Sequence, residues 1–133
     1  MNIFLDTNIF LDFLLARSNR KSARKIFECI ENNNFSFYLA DITLMNIDYI
    51  AKKEISEIRD FLNYINNNCI ICGGSNRSFK NALNIKNKDL EDNLQYCLAL
   101  EQACDYIITN DKSFLKKDIK VISSEDFVLK YFS

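Results

Sequence analysis

Histidine is absent from this chain. That excludes zinc-hydrolase chemistry built on imidazole ligands, and every triad or general base that depends on imidazole. Catalysis has to use carboxylates, thiols, hydroxyls or amines. Proline is absent too; alongside abundant Asn, Ile and Lys this reads as a codon-composition bias with no functional content. There is no excess of basic charge, since the formal net charge is -1. Polyanion binding must therefore come from a local patch or from metal ions. No apolar run approaches the roughly 18 residues that span a membrane. The opening MNIFLDTN has no basic stretch and meets Asp6 at once, which predicts that no signal peptide is present.

What is present suits one folded unit. The 133 residues are expected to form a single domain, 1–133, and their 48% hydrophobic content is enough for one core. The five cysteines are an odd number and sit mostly in apolar runs such as QYCLAL. They predict a reduced, cytoplasmic protein. Cys69 and Cys72 have C-x-x-C spacing, but on a strand they face opposite ways, and no second pair completes a metal site. They are expected to be core residues.

Hydrophobic periodicity divides the chain into short strands alternating with helices. Strands are predicted at Met1–Leu5, Phe35–Leu39, Cys69–Cys72, Tyr106–Thr109 and Ile119–Ile122. Helices are predicted at Ile9–Leu15, Ser18–Ile30, Asp41–Ile50, Glu54–Ile65, Ser75–Asn84, Asp89–Ala103 and Glu125–Tyr131, with a turn at Asn32–Asn34 and a break at Asn66–Asn68. Such alternation predicts an α/β fold, a parallel sheet with helices on both faces.

In open parallel sheets functional groups gather beyond the carboxyl ends of the strands, where strand order reverses. Two acidic tags occupy such ends: Asp6-Thr7-Asn8 after the first strand and Thr109-Asn110-Asp111 after the fourth. A third group, Asp89, Glu91 and Asp92, opens the strongest helix. Asp89 and Asp92 are three apart and share a face. If the two strands are neighbours, Asp6 and Asp111 converge, and Asp92 joins them if its helix starts near the same sheet edge; a carboxylate cluster at neutral pH requires cations or retained protons. Hard oxygen ligands select Mg²⁺ or Mn²⁺. The ordinary alternative for Asp89 is a helix N-cap, with Asp92 favoured by the helix dipole.

Three stretches, IFLDTNIFLDFLL, LADITLMNIDYIAKK and DLEDNLQYCLALEQACDYIITNDKSF, together with the closing KVISSEDFV, resemble PIN-domain ribonucleases, in particular the toxins of VapBC-type toxin–antitoxin pairs. The resemblance spans essentially the whole chain. It implies a three-layer α/β/α fold around a five-stranded parallel sheet. It also implies an endoribonuclease using Mg²⁺ or Mn²⁺, an antitoxin partner and a homodimer. Carried over by position, the metal-binding acids are Asp6, Asp92 and Asp111, with Asp89 accessory. Asn8 and Thr109 match the small polar residues that hold those carboxylates. One departure stands out: the family's middle-helix glutamate falls on Asn46, which offers a carbonyl oxygen but no charge. Asp48 lies roughly 200° further round the helix and points away. Asp41 is expected to be a helix cap.

A basic run, Arg17, Arg20, Lys21, Arg24 and Lys25, would form one ridge if helical throughout. It reads either as a phosphate-contacting surface for RNA or as an ordinary solvated face. Lys112, next to Asp111, is a further RNA-contact candidate, with Lys116 and Lys117 beyond it. Phe10, Phe13–Leu15 and Tyr49–Ile50 are candidates for apolar surface in excess of core needs. The leading functional expectation is hydrolysis of RNA by water activated at the aspartate-held ion. The alternatives are a degenerate PIN domain that binds RNA or protein without cutting, motivated by Asn46, and another acid-using phosphoryl-transfer enzyme. A phosphoaspartate route is disfavoured by Asn8, which stands where a second aspartate would be needed.

Overall fold

The computed structural model describes residues 1–32 and 34–132. Asn33, inside the expected turn, and Ser133 lie outside the described residues.

Five parallel strands form one sheet: β1 (Asn2–Leu5), β2 (Ser36–Ala40), β3 (Ile70–Cys72), β4 (Tyr106–Ile108) and β5 (Lys120–Ile122). Their order is β3-β2-β1-β4-β5. The chain builds outward from β1 to β3, then returns to the other side of β1 and builds outward again. Strand order therefore reverses between β1 and β4, where Leu5 lies opposite Ile108. Ligand crevices of open parallel sheets form at such a reversal.

The connecting helices are α1 (Thr7–Leu14), α2 (Arg20–Glu28), α3 (Asp41–Ala51), α4 (Ile58–Asn68), α5 (Asn76–Asn84), α6 (Leu90–Glu101) and α7 (Ser124–Phe132). Successive strand side chains point to opposite faces. Ile3, Leu5, Phe37, Leu39, Tyr106 and Ile108 thus enter one core layer, with Phe10, Ile26, Ile47, Ile65 and Phe127 from α1, α2, α3, α4 and α7. Phe4, Ala40 and Ile107 enter the other, with Ala82 of α5 and Leu94 and Leu98 of α6. The result is the expected three-layer α/β/α arrangement. Cys69 packs against the first layer and Cys72 lies in the second, as the strand spacing predicts.

Several boundaries differ from the sequence reading for identifiable reasons. Helix α1 starts at Thr7, because Asp6 ends in extended backbone at the N-cap position. Helix α2 starts at Arg20, which leaves Arg17 off it. Helix α4 runs through Asn66–Asn68 instead of breaking there; the Asn68 amide donates to the Tyr64 carbonyl (2.8 Å) and satisfies a helix-end acceptor. Asp41 is the first residue of α3, not its cap, and Ala40 holds the cap position. The supposed surplus at Phe10 and Phe13–Leu15 is absorbed: Phe10 is buried, Leu14 and Leu15 pack on the core, and the Phe13 ring meets Phe27 and Phe61. Exposed apolar side chains remain on α3, namely Ile42, Met45, Tyr49 and Ile50. Among the described residues no helix is long and apolar enough to cross a membrane.

Candidate metal centre

Asp6 leaves β1 at its carboxyl end, and its backbone N–H donates to the Ile108 carbonyl (3.0 Å). The residue is 3% exposed. One carboxylate oxygen accepts from Gln95 Nε2 (3.0 Å) and the other from Thr109 Oγ1 (2.7 Å). Burial nevertheless raises its pKa against those hydrogen bonds, and the Asp111 charge adds to the rise. Thr109 Oγ1 also accepts from the Asp111 backbone N–H (3.1 Å). A single hydroxyl thus ties the acid after β1 to the turn that carries the acid after β4. Asp111 accepts through Oδ1 from the backbone and hydroxyl of Ser113. Asn8 is half-buried in α1 but supplies neither bond to Asp6; Gln95 and Thr109 do.

The third group comes from α6. Asp89 is its N-cap, accepting from the Asp92 backbone N–H (3.0 Å). Asp92 follows in the first turn and is 5% exposed. Burial, then the charges of Asp89, Asp6, Asp111 and Glu91, push its carboxyl up to about 7. Residues 6, 92 and 111, which the spacing predicted would converge, are therefore brought within electrostatic reach of one another. Asp92 Oδ2 and Gln95 Oε1 are buried without a hydrogen-bond partner. On α3, the Asn46 amide donates to Glu91 Oε1 at 2.6 Å. Sequence reasoning put Glu91 in the acidic group that opens α6 but not among the metal-binding acids, and it gave Gln95 no role. For Gln95 a signal existed: it follows Asp92 by three and shares its face.

The donor set fits a divalent cation of a particular kind. Among the described residues, no three Asp, Glu or Cys side chains are gathered tightly enough to enclose an ion by themselves. A buried, unpartnered carboxylate oxygen beside further acids still calls for a proton or a cation. Mg²⁺ keeps several of its waters and needs about one or two carboxylates, as Mn²⁺ can, so the residues suit a hydrated ion rather than a full cage.

Next to these acids, Thr109, Asn110, Asp111, Lys112, Lys116 and Asn19 line a cleft of about 560 Å³. Asn110 braces it. Its Nδ2 donates to buried Asp12 Oδ2 (2.8 Å), and its Oδ1 accepts from the Ser124 backbone N–H (3.0 Å) and hydroxyl (3.1 Å). Ser124 Oγ in turn meets Ser22 Oγ at 2.6 Å. The basic run is not helical throughout. Arg17 lies off α2 with its guanidinium 3.9 Å from Asp12. Arg20 donates to the Phe13 carbonyl and lies over the Phe13 ring. Lys25 is 4.0 Å from Glu28, and Lys21 and Arg24 are exposed on α2.

Comparison with known proteins agrees with this geometry. Residues 2–113 match the family model described as PIN domain. Ribonuclease VapC1 of Aquifex aeolicus (strain VF5) is 32% identical over 136 aligned positions, covering 94% of this chain and 92% of the relative. The fold is shared with VapBC2 of Rickettsia felis, bound to a promoter DNA fragment, at a TM-score of 0.70 and 16% identity over 92% of this chain and 98% of that one. It is also shared with a toxin–antitoxin complex from Klebsiella pneumoniae, at a TM-score of 0.71 and 18% identity over 92% and 97%. The crevice between β1 and β4, the acids around it and these matches have one common explanation: the chain belongs to the PIN-domain family.

Proposed function

We propose that this chain is a metal-dependent endoribonuclease of the VapC toxin type, acting in the cytoplasm. What supports the reading most directly is the buried Asp92, with one oxygen unpartnered, among the charges of Asp6 and Asp111 at the strand reversal. The ribonuclease name of the 32% identical relative agrees with it.

In this reading Asp6, Asp92 and Asp111 hold Mg²⁺ or Mn²⁺, with Asp89 accessory. When bound, such an ion would supply positive charge against the scissile phosphodiester and lower the pKa of a water for hydrolysis. The protein's own work is positional. Thr109 and Gln95 fix the Asp6 carboxylate so that its lone pairs keep one orientation. Thr109 also fixes the turn that presents Asp111. Lys112 and Lys116, in the adjoining cleft, would meet phosphates on either side of the cut. Lys21 and Arg24 would extend that contact, whereas Arg17 and Arg20 already serve α1. The exposed apolar side chains of α3 give an antitoxin segment or a second copy of the chain a surface to cover.

The deciding experiment is the isosteric change Asp6→Asn. We expect RNA cleavage in Mn²⁺ to fall by at least about a hundredfold, as loss of a metal-orienting group does, while circular dichroism shows the same fold. Cleavage at the wild-type rate by the folded variant would refute the assignment. A degenerate, non-cutting domain is the second reading, favoured by Asn46 in the glutamate position. It predicts no cleavage by wild type and no Mn²⁺ binding at millimolar concentration.

A further inference from the structure

Tyr106 opens β4 at the amino end of the sheet, the edge opposite the one that carries Asp6 and Asp111. Its ring belongs to the core: the residue is 6% exposed and packs on Phe127. Its hydroxyl lies at an open cleft of about 810 Å³, bordered also by Lys120, Lys130, Tyr131 and Asp118. Register and helical spacing gather these side chains. Lys120 is the β5 partner of Tyr106, and partners in register share a face of the sheet. Lys130 and Tyr131 follow buried Phe127 by three and four positions, so α7 brings them to the same spot.

The hydrogen bonds there are incomplete in one direction. Lys130 Nζ donates to Tyr106 Oη at 2.9 Å, and Tyr131 Oη donates to it at 3.1 Å. A hydroxyl oxygen has two lone pairs, so Tyr106 Oη is filled as an acceptor. Its own hydrogen has no acceptor among the described residues, and an ammonium, with three hydrogens, can give more than the one bond Lys130 makes. The charges are unbalanced as well. Lys130 Nζ and Lys120 Nζ stand 5.5 and 6.0 Å from the centre of the same Tyr106 ring. Neither ammonium belongs to an ion pair among the described residues. Asp105 also borders the cleft, but its Oδ2 is taken by the Asn2 backbone N–H at 2.8 Å. Two like charges gathered on one phenol, with donor hydrogens to spare, call for an anion.

We infer that the amino end of the sheet holds an oxyanion site, in which Tyr106 Oη, Lys130 Nζ and Lys120 Nζ bind a terminal phosphate group, free or as a monoester. Such a group offers three strong acceptor oxygens and close to two negative charges near neutral pH. That matches three donor groups and two ammonium charges. The cleft has room for an organic part beyond the phosphate, and Asp118 at its rim is an acceptor for hydroxyl or amino groups there. A polynucleotide backbone fits less well, because Asp105 and Asp118 would repel a chain of charges. The site lies at the other end of β4 from Asp111, so it stands independently of the metal-centre reading.

Calorimetric titration of the whole chain in EDTA, with inorganic phosphate and separately with adenosine monophosphate, tests this without any metal. Wild type should show saturable binding. Tyr106→Phe keeps the ring in the core and removes the O–H; it should weaken binding by at least about tenfold, the scale of a hydrogen bond to a charged acceptor. Lys120→Met, at an exposed position, should weaken it similarly with an unchanged melting temperature, and it decides the matter if Tyr106→Phe does not fold. Lys112→Met, in the cleft at the opposite edge, should bind phosphate as wild type does. Tighter binding of the nucleotide than of phosphate identifies a monoester as the occupant; equal or weaker binding identifies phosphate itself. A tie that merely fastens α7 to β4 predicts a lower melting temperature in Tyr106→Phe and no binding of either probe by wild type. Absence of saturable binding by wild type at millimolar concentration overturns the inference, as does wild-type affinity in folded Tyr106→Phe and Lys120→Met. Binding lost in Lys112→Met and kept in those two variants puts the anion in the other cleft and overturns it too.

Discussion

Burial and four acidic neighbours push the Asp92 carboxyl up into the neutral range, and among the described residues no hydrogen bond on Oδ2 offsets them. Its carboxyl titrates at about 7 when folded, against an ordinary value of 3.8. Between those values the folded chain keeps a proton that the unfolded chain has lost. Unfolding then releases a proton, and stability falls as pH rises through that window. Asp6, also shifted upward, contributes with the same sign. Asp92→Asn removes the penalty. In EDTA at pH 7.5 the variant should melt several degrees above wild type, about 2–4 °C for each kcal/mol relieved, and at pH 4 the two should nearly coincide. Equal melting at both pH values would mean that Asp92 ionises without cost. The strand-end and helix-start positions of Asp6, Asp92 and Asp111 were legible in sequence because the chain's alternation fixes where strands stop. Glu91 was legible as one of the acids opening α6, but its bond to an amide 45 positions away was not.

Secondary-structure elements meet around Asn110 in a way that no single stretch of sequence discloses. Through Asp12, Ser124 and Ser22, one side chain after β4 links α1, α7 and α2. Asn110→Ala would leave the buried Asp12 carboxylate without its nearest donor. We expect a loss of about 2 kcal/mol, within the usual cost of an orphaned buried polar group, read as a lower midpoint in urea with an unchanged slope. No change in midpoint would show that water or Arg17 replaces the amide. The helices themselves were readable from apolar spacing, and α6 differs from expectation only at its ends. Boundaries were lost where polar residues do unexpected work. Asn68 satisfies a helix carbonyl where a break was read, and the basic run starts before its helix does. Arg17 therefore stands just before α2, not on it.

On the scale of the molecule, alternation of strands and helices was enough to give a parallel sheet, but not its order, β3-β2-β1-β4-β5, which is set by pairings between strands far apart in sequence. The order has a mechanical consequence. Strands β1 to β3 form one flank and β4 and β5 the other, and the boundary between them carries Asp6 on one side and Asp111 on the other. Without a cation, like charges face each other across that boundary, and the Thr109 hydroxyl helps pin them together. In the proposed metal-dependent reading, a cation there would act as a clasp between the flanks. Mn²⁺ should therefore slow amide hydrogen exchange along residues 3–6 and 106–108 well beyond its effect on β3 and β5, and Asp6→Asn should abolish the difference. Uniform slowing across all five strands would mean that the ion steadies the whole fold without bracing this joint.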